Sequence, residues 1–134
     1  MRKSIVLLFL LVLASFILLG CTTIEKPQAK GVECNDDACF ATNFLSCESA
    51  FGELTPDGEN TFYGQIIGEE DDKCKVYIEV VEAKTSPVPI TGLNAICKVA
   101  PEELAKLTDI SQVTTLDCYG PLFEAIKAYT SLQQ

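Results

Sequence analysis

The chain has no histidine and no tryptophan, and basic residues are scarce: 10 Lys and Arg stand against 19 Asp and Glu in 134 residues. Without histidine there is no Ser-His-Asp or Cys-His nucleophile. With no tryptophan and four tyrosines, an aromatic platform for sugars is not expected. No glycine-rich phosphate loop is present. A carboxylate pair in the manner of a glycosidase would need a cleft that so small a domain can hardly form. The net charge of −9 repels nucleic acid and anionic headgroups, so no nucleic-acid partner is expected. These absences lead to a non-enzyme that carries no cofactor.

A membrane-length apolar run is missing as well. Arg2 and Lys3 give a positive start, and Ile5 to Leu19 is then apolar except for Ser15. That stretch falls short of the roughly 20 residues a spanning helix needs. It suits a cleaved secretory signal over residues 1–20 better than a permanent anchor. The run closes as Leu18-Leu19-Gly20-Cys21. This resembles the lipobox of bacterial and archaeal lipoprotein precursors, with Leu18 third before the cysteine and small Gly20 next to it. Leu19 departs from that pattern, which usually has a small or β-branched residue there. The resemblance implies that Cys21 becomes the mature N-terminus and carries a thioether-linked diacylglycerol, chemistry that needs an alkylatable sulfur. Two acyl chains would hold the domain on the cell membrane, facing the extracytoplasmic side, with membrane lipid as its first partner. The alternatives are an ordinary signal peptide with Cys21 incidental, and an uncleaved short anchor.

Removing residues 1–20 leaves 8 basic residues against 19 acidic ones, a net charge of −11 over 114 residues. That length makes one domain. Six cysteines remain besides Cys21: Cys34, Cys39, Cys47, Cys74, Cys97 and Cys118. An even number in a small exported chain reads as three disulfides. Zinc is the poorer reading, because no repeated short Cys-Cys spacing accompanies the missing histidines. No metal site is expected.

Residues 21–33 hold the lipidated cysteine and a polar stretch with Pro27 and Gly31, which reads as a tether. The domain proper spans 34–134. Asn35-Asp36-Asp37 is suited to capping a helix. Phe40, Phe44, Cys47 and Phe51 then make one helical stripe, which predicts a helix over about 38–50. Thr55-Pro56-Asp57-Gly58 is a turn signal. The run 61–68 reads as a strand in which Gly64 marks a bulge or close packing. Glu69 to Asp72 breaks it. Cys74, Val76, Ile78 and Val80 alternate with polar neighbours, and Leu93, Ala95, Cys97 and Val99 alternate again. Pro101 and Gly120-Pro121 each open a helix, the second presenting Leu122, Ile126, Tyr129 and Leu132. The expected fold is a disulfide-stabilised α+β domain: an N-terminal helix, a three-stranded antiparallel meander, then C-terminal helices on one sheet face.

Cys39 and Cys47 lie about 80° apart around a helix, and Cys74 and Cys97 lie on the buried faces of neighbouring strands. A helix-to-sheet pairing of those four leaves Cys34 with Cys118, one of fifteen connectivities. Three features have a chemical reading beside a structural one. The acids Glu69 to Asp72 offer oxygens to a hard cation, but lack the alternation of a calcium loop. Their simpler reading is a solvated hairpin tip. Cys34 and Cys39 could serve thiol redox exchange near a helix start, although Asp36 and Asp37 oppose a thiolate. A structural bridge is preferred. The stiff link Ser86-Pro87-Val88-Pro89 is loosely similar to the binding hairpin of cystatin-type inhibitors, with none of their motifs; the simpler reading is a plain connection.

Asp37-Ala38-Cys39-Phe40 and Cys118-Tyr119-Gly120-Pro121-Leu122 resemble small cystine-containing exported proteins, many of them archaeal. That resemblance implies no activity. The sequence therefore reads as a membrane-anchored extracytoplasmic lipoprotein with a binding or structural envelope role, its ligand an envelope protein or a small molecule. A thiol-disulfide redox protein and a protease-inhibitor-like module are the alternatives.

Overall fold

The computed structural model describes residues 24–106 and 110–134, the side chains of 110 and 111 excepted; Cys21 and the leader lie outside the described residues. Six strands form one sheet in chain order: β1 (Val32–Glu33), β2 (Ala50–Leu54), β3 (Thr61–Glu70), β4 (Lys73–Glu82), β5 (Asn94–Val99) and β6 (Asp117–Tyr119). β1 runs parallel to β2, and every other neighbouring pair is antiparallel. Three short helices accompany them: α1 (Asp37–Leu45), α2 (Pro101–Leu104) and α3 (Pro121–Leu132), with a 3₁₀ segment at Ile110–Thr115.

The expected three-stranded meander between helices is thereby corrected to a six-stranded mixed sheet. The three strands read from the sequence are β3, from its composition, and β4 and β5, from alternation. The three that were missed are short, and a strand of two or three residues has too few positions to show a period of two. β2 was also masked by the aromatic stripe. Phe51 continues the spacing of Phe40 and Phe44, yet α1 stops at Leu45, and Cys47 takes φ 53° with its N–H donating to Phe44 O. Phe51 then pairs with Gln65 in the sheet. Asp36 caps α1, its carboxylate accepting from Cys39 N at 2.7 Å.

Antiparallel register puts alternate residues on each face. One face carries Ala50, Ile66, Cys74, Val76, Cys97 and Val99, which form a core with Phe44 of α1. Beside it, Val80 and Ala95 pack with Leu122 and Phe123 of α3. Leu132, expected on the inner stripe of α3, is exposed, and Phe123 is buried instead. The sheet has two distinct ends. At one, Asp71 and Asp72 both take positive φ (56° and 61°) and join β3 to β4 in a two-residue turn. At the other lie the Thr55–Gly58 turn and the β4–β5 link, including Pro87 and Pro89.

The disulfides are Cys34–Cys39, Cys47–Cys74 and Cys97–Cys118. Cys47–Cys74 ties the second residue beyond α1 to the start of β4. Cys34 is not joined to Cys118, contrary to the expected pairing. The physical reason is β6: Cys118 lies directly opposite Cys97 in the β5–β6 register. Cys34 lies at the far side of the sheet, just after the edge strand β1, and meets Cys39 across the start of α1.

Candidate functional site

Two surfaces of the sheet carry side chains that the sequence pattern did not bring together. The first is the helix-bearing face, where α1 leaves a groove of about 420 Å³. Phe40, Ala41 and Phe44 of α1 form one wall; Phe62, Gly64, Val76 and Ile78 of β3 and β4 line the sheet side, with Leu54, Pro56 and Leu104 at the margins. Gly64 is where Phe40 approaches the sheet most closely. A Cβ there would lie 2.9 Å from the Phe40 ring, so the residue marks close packing, while the register shifts of β3 fall elsewhere. The one charged residue of the lining, Asp37, accepts a hydrogen bond from Thr55 N at 3.2 Å. The groove can hold apolar matter by exclusion of water. It offers no oriented donor for a polar ligand.

The second surface is the opposite face, where Tyr63, Gln65, Tyr77, Glu79 and Asn94 share a side by register. Residues expected to form a free tether lie across it. Asn94 Nδ2 donates to Ile24 O at 2.8 Å, and Gln65 Nε2 donates to Gln28 O at 2.8 Å. Lys26 Nζ sits 3.6 Å from the Tyr63 ring centre and 3.9 Å from Glu79 Oε2. From Ile24 onward this segment is a strap, crossing from β5 to β3 before entering β1. It explains why Tyr77 is fully buried on what alternation reads as a polar face.

Tyr77 OH donates to Glu79 Oε2 at 2.6 Å and accepts from Asn94 Nδ2 at 3.1 Å. Burial, then the bond to Glu79, pushes its phenol up to about 12; the Asn94 donor pulls the other way. Burial and the Glu79 charge also raise Tyr63. Asn94 Oδ1 is buried without a partner among the described residues.

The remaining sequence candidates are placed as follows. At the hairpin tip, Glu70 pairs with Lys75 at 2.9 Å and with Lys98 at 3.5 Å, while Asp71 meets Lys98 at 3.0 Å. The Lys75 ammonium beside Glu70 holds its carboxyl below the usual range. Among the described residues no group of three or more His, Cys, Asp or Glu could hold a metal ion. Cys34 and Cys39 are bonded to each other, and Asn43 Nδ2 points at both sulfurs from 3.8 Å. The Ser86–Pro89 link is held by its own serine, whose hydroxyl donates to Val88 O at 2.8 Å. Asn60 Oδ1 fixes the approach to this link, accepting from Lys84 N and Thr85 N. No helix among the described residues is long and apolar enough to cross a membrane.

Sequence reasoning missed both surfaces. The apolar residues of the groove read as ordinary core, and the strap read as linker. Pro27 and Gly31 signal only that residues 24–30 lack regular structure, not that they pack.

No family model, curated protein or solved structure matches the chain.

Proposed function

We propose that this protein is an extracytoplasmic domain held on a membrane by lipid at Cys21, and that it binds an apolar ligand rather than catalysing a reaction. The observation that carries the binding role is the groove under α1: about 420 Å³, within the roughly 300–1,000 Å³ of small-molecule sites, and walled by carbon. The anchoring half rests on Arg2-Lys3, the short apolar run and the Leu18-Leu19-Gly20-Cys21 sequence. Three disulfides support an oxidising compartment.

The strap adds a mechanical reason for such an arrangement. Only Thr22 and Thr23 separate Cys21 from Ile24. At most about 3.6 Å per residue then keeps Cys21 within about 11 Å of Ile24. A domain lipidated there has almost no leash and rests against the bilayer.

The test is the intact mass of membrane-extracted protein, alkylated before and after reduction. The expected mass begins at Cys21, carries acyl chains, and takes up alkylating reagent only after reduction. A chain retaining residues 1–20 would remove the anchor, and thiols free before reduction would favour redox exchange.

A further inference from the structure

We infer that the groove takes one hydrocarbon chain of a membrane lipid, admitted from the end of the sheet at which the chain leaves toward Cys21. The inference rests on the anchored-domain reading above and names the ligand of its groove.

The chemistry of the walls selects the class. Phe40, Phe44, Leu54, Phe62, Val76 and Ile78 offer no hydrogen-bonding side-chain group, and the Asp37 carboxylate already accepts from Thr55 N. A ligand with polar groups would leave them unpaired inside, each at a cost of about 1–3 kcal/mol. A hydrocarbon chain leaves none unpaired, and its transfer is favourable along its whole length.

The topology selects the source. The lining runs from one end of the sheet to the other. Leu54 closes β2 and Phe62 opens β3 at the turn end, whereas Leu104 follows the β5 terminus at the hairpin end. Ile24 is hydrogen-bonded to Asn94, the first residue of β5, at that same turn end. Cys21 is therefore tied within about 11 Å of it. An anchor there sets the turn end on the bilayer, so the end of the groove lined by Leu54 and Phe62 lies nearest the source of free chains. The acidic surface disfavours anionic headgroups, which points to a zwitterionic lipid.

The native absence of tryptophan supplies a clean reporter. Full-length protein would be reconstituted in phosphatidylcholine vesicles whose acyl chains carry bromine, a contact-range quencher of indole. Leu104→Trp places the reporter in the groove at a position 40% exposed, away from the membrane end. Leu45→Trp places one at the same end but outside the groove, 71% exposed. The expected result is that Leu104→Trp loses most of its emission in brominated relative to plain vesicles, while Leu45→Trp does not. Adding Ala41→Phe, which fills the groove from an exposed site on α1, restores the emission of Leu104→Trp. Resistance of the six cysteines to alkylation shows that each variant is fully oxidised, and a cooperative urea transition shows that it is folded.

An unquenched Leu104→Trp in protein whose mass shows acylated Cys21 overturns the groove ligand and leaves the anchor standing. The same result in protein that keeps residues 1–20 overturns it too, with the apolar leader as the competing occupant. Quenching that Ala41→Phe does not relieve also overturns it, since the chains would then reach Leu104 by another route. Quenching relieved by Ala41→Phe in a chain that keeps its leader upholds the groove and removes the lipid anchor.

Discussion

Asn94 donates its side-chain N–H to the carbonyl of Ile24, seventy residues earlier in the chain, at 2.8 Å. This bond fixes one end of the strap, and Gly120 makes room for it. A Cβ on Gly120 would lie 2.3 Å from Ile24 Cδ1 and 2.8 Å from Asn94 O, at φ +122°. Gly120→Ala is therefore expected to destabilise the fold by about 2–3 kcal/mol, combining backbone strain with displacement of the strap. Limited digestion at Lys26 and Lys30 should speed up in this variant. Cleavage at the native rate would mean that the strap is held elsewhere.

Tyr77 sets an alkaline limit. Its phenol is pushed up to about 12 against a starting value of 10.0, mainly by burial and then by its bond to Glu79. A group with a raised folded pKa contributes stability that is complete below the unfolded value and is lost as pH rises through the folded one. Stability is expected to be insensitive to this residue at neutral pH and to fall from about pH 10 to pH 12. Denaturant midpoints, followed together with phenolate absorbance, check the window. Tyr77→Phe should flatten the decline above pH 10 while costing about 1–3 kcal/mol at neutral pH, because Glu79 and Asn94 lose their shared partner. A decline that persists in Tyr77→Phe would assign the effect to other groups.

The three disulfides should differ in what their loss costs. In the chain-entropy account, the closed loop sets the stabilisation. Cys34–Cys39 spans 5 positions, Cys97–Cys118 spans 21, and Cys47–Cys74 spans 27. Replacing Cys34 and Cys39 by serine is expected to cost about 2 kcal/mol, against about 3–4 kcal/mol for either long bridge. Urea titrations of the three double variants decide the order. If the short bridge proved the costliest, its role would lie in packing around Phe44 and Ala50 rather than in loop closure.

The parts of this fold that were legible in the sequence are those where burial is one-sided and long enough to show a period. β4 is the clearest case: Cys74, Val76 and Val80 are buried as alternation predicts. The cap of α1, the Thr55–Gly58 turn and the openings of α2 and α3 at proline also carry local chemistry that can be read directly. Tyr77 shows where that logic stops. It lies on the face alternation assigns to solvent, and only the strap, a distant segment without periodicity, buries it. The groove was hidden for the opposite reason. Phe40 and Phe44 look alike as core residues, and nothing local distinguishes a wall that meets another side chain from one that faces an opening. The pairing of Cys34 depended on β6, whose three residues leave no mark in hydropathy. The burial of Tyr77 and the Cys97–Cys118 bridge are contacts between segments far apart in sequence, which local pattern cannot supply, whereas the early end of α1 at Leu45 and the Cys34–Cys39 bridge are local features that the aromatic stripe obscured.

The turn at Asp71–Asp72 tests how much local sequence matters in this sheet. Both residues have positive φ, 56° and 61°, in a two-residue link between β3 and β4. That is the geometry of a type I′ hairpin turn, for which Asn-Gly is the favoured pair. A residue with a Cβ pays for left-handed backbone, least when it is Asn and not at all when it is Gly. Changing Asp71→Asn and Asp72→Gly together is expected to stabilise the protein by about 1 kcal/mol. The Asp71–Lys98 ion pair is lost in this variant, but Asp71 is 78% exposed, and such pairs contribute about 0–1 kcal/mol. A thermal melt at high salt screens that contribution in the native protein alone and should enlarge the gain. If the double variant melted lower at low salt and higher only at high salt, the Asp71–Lys98 contact would outweigh the backbone preference; a lower melt at every salt concentration would overturn the backbone account itself.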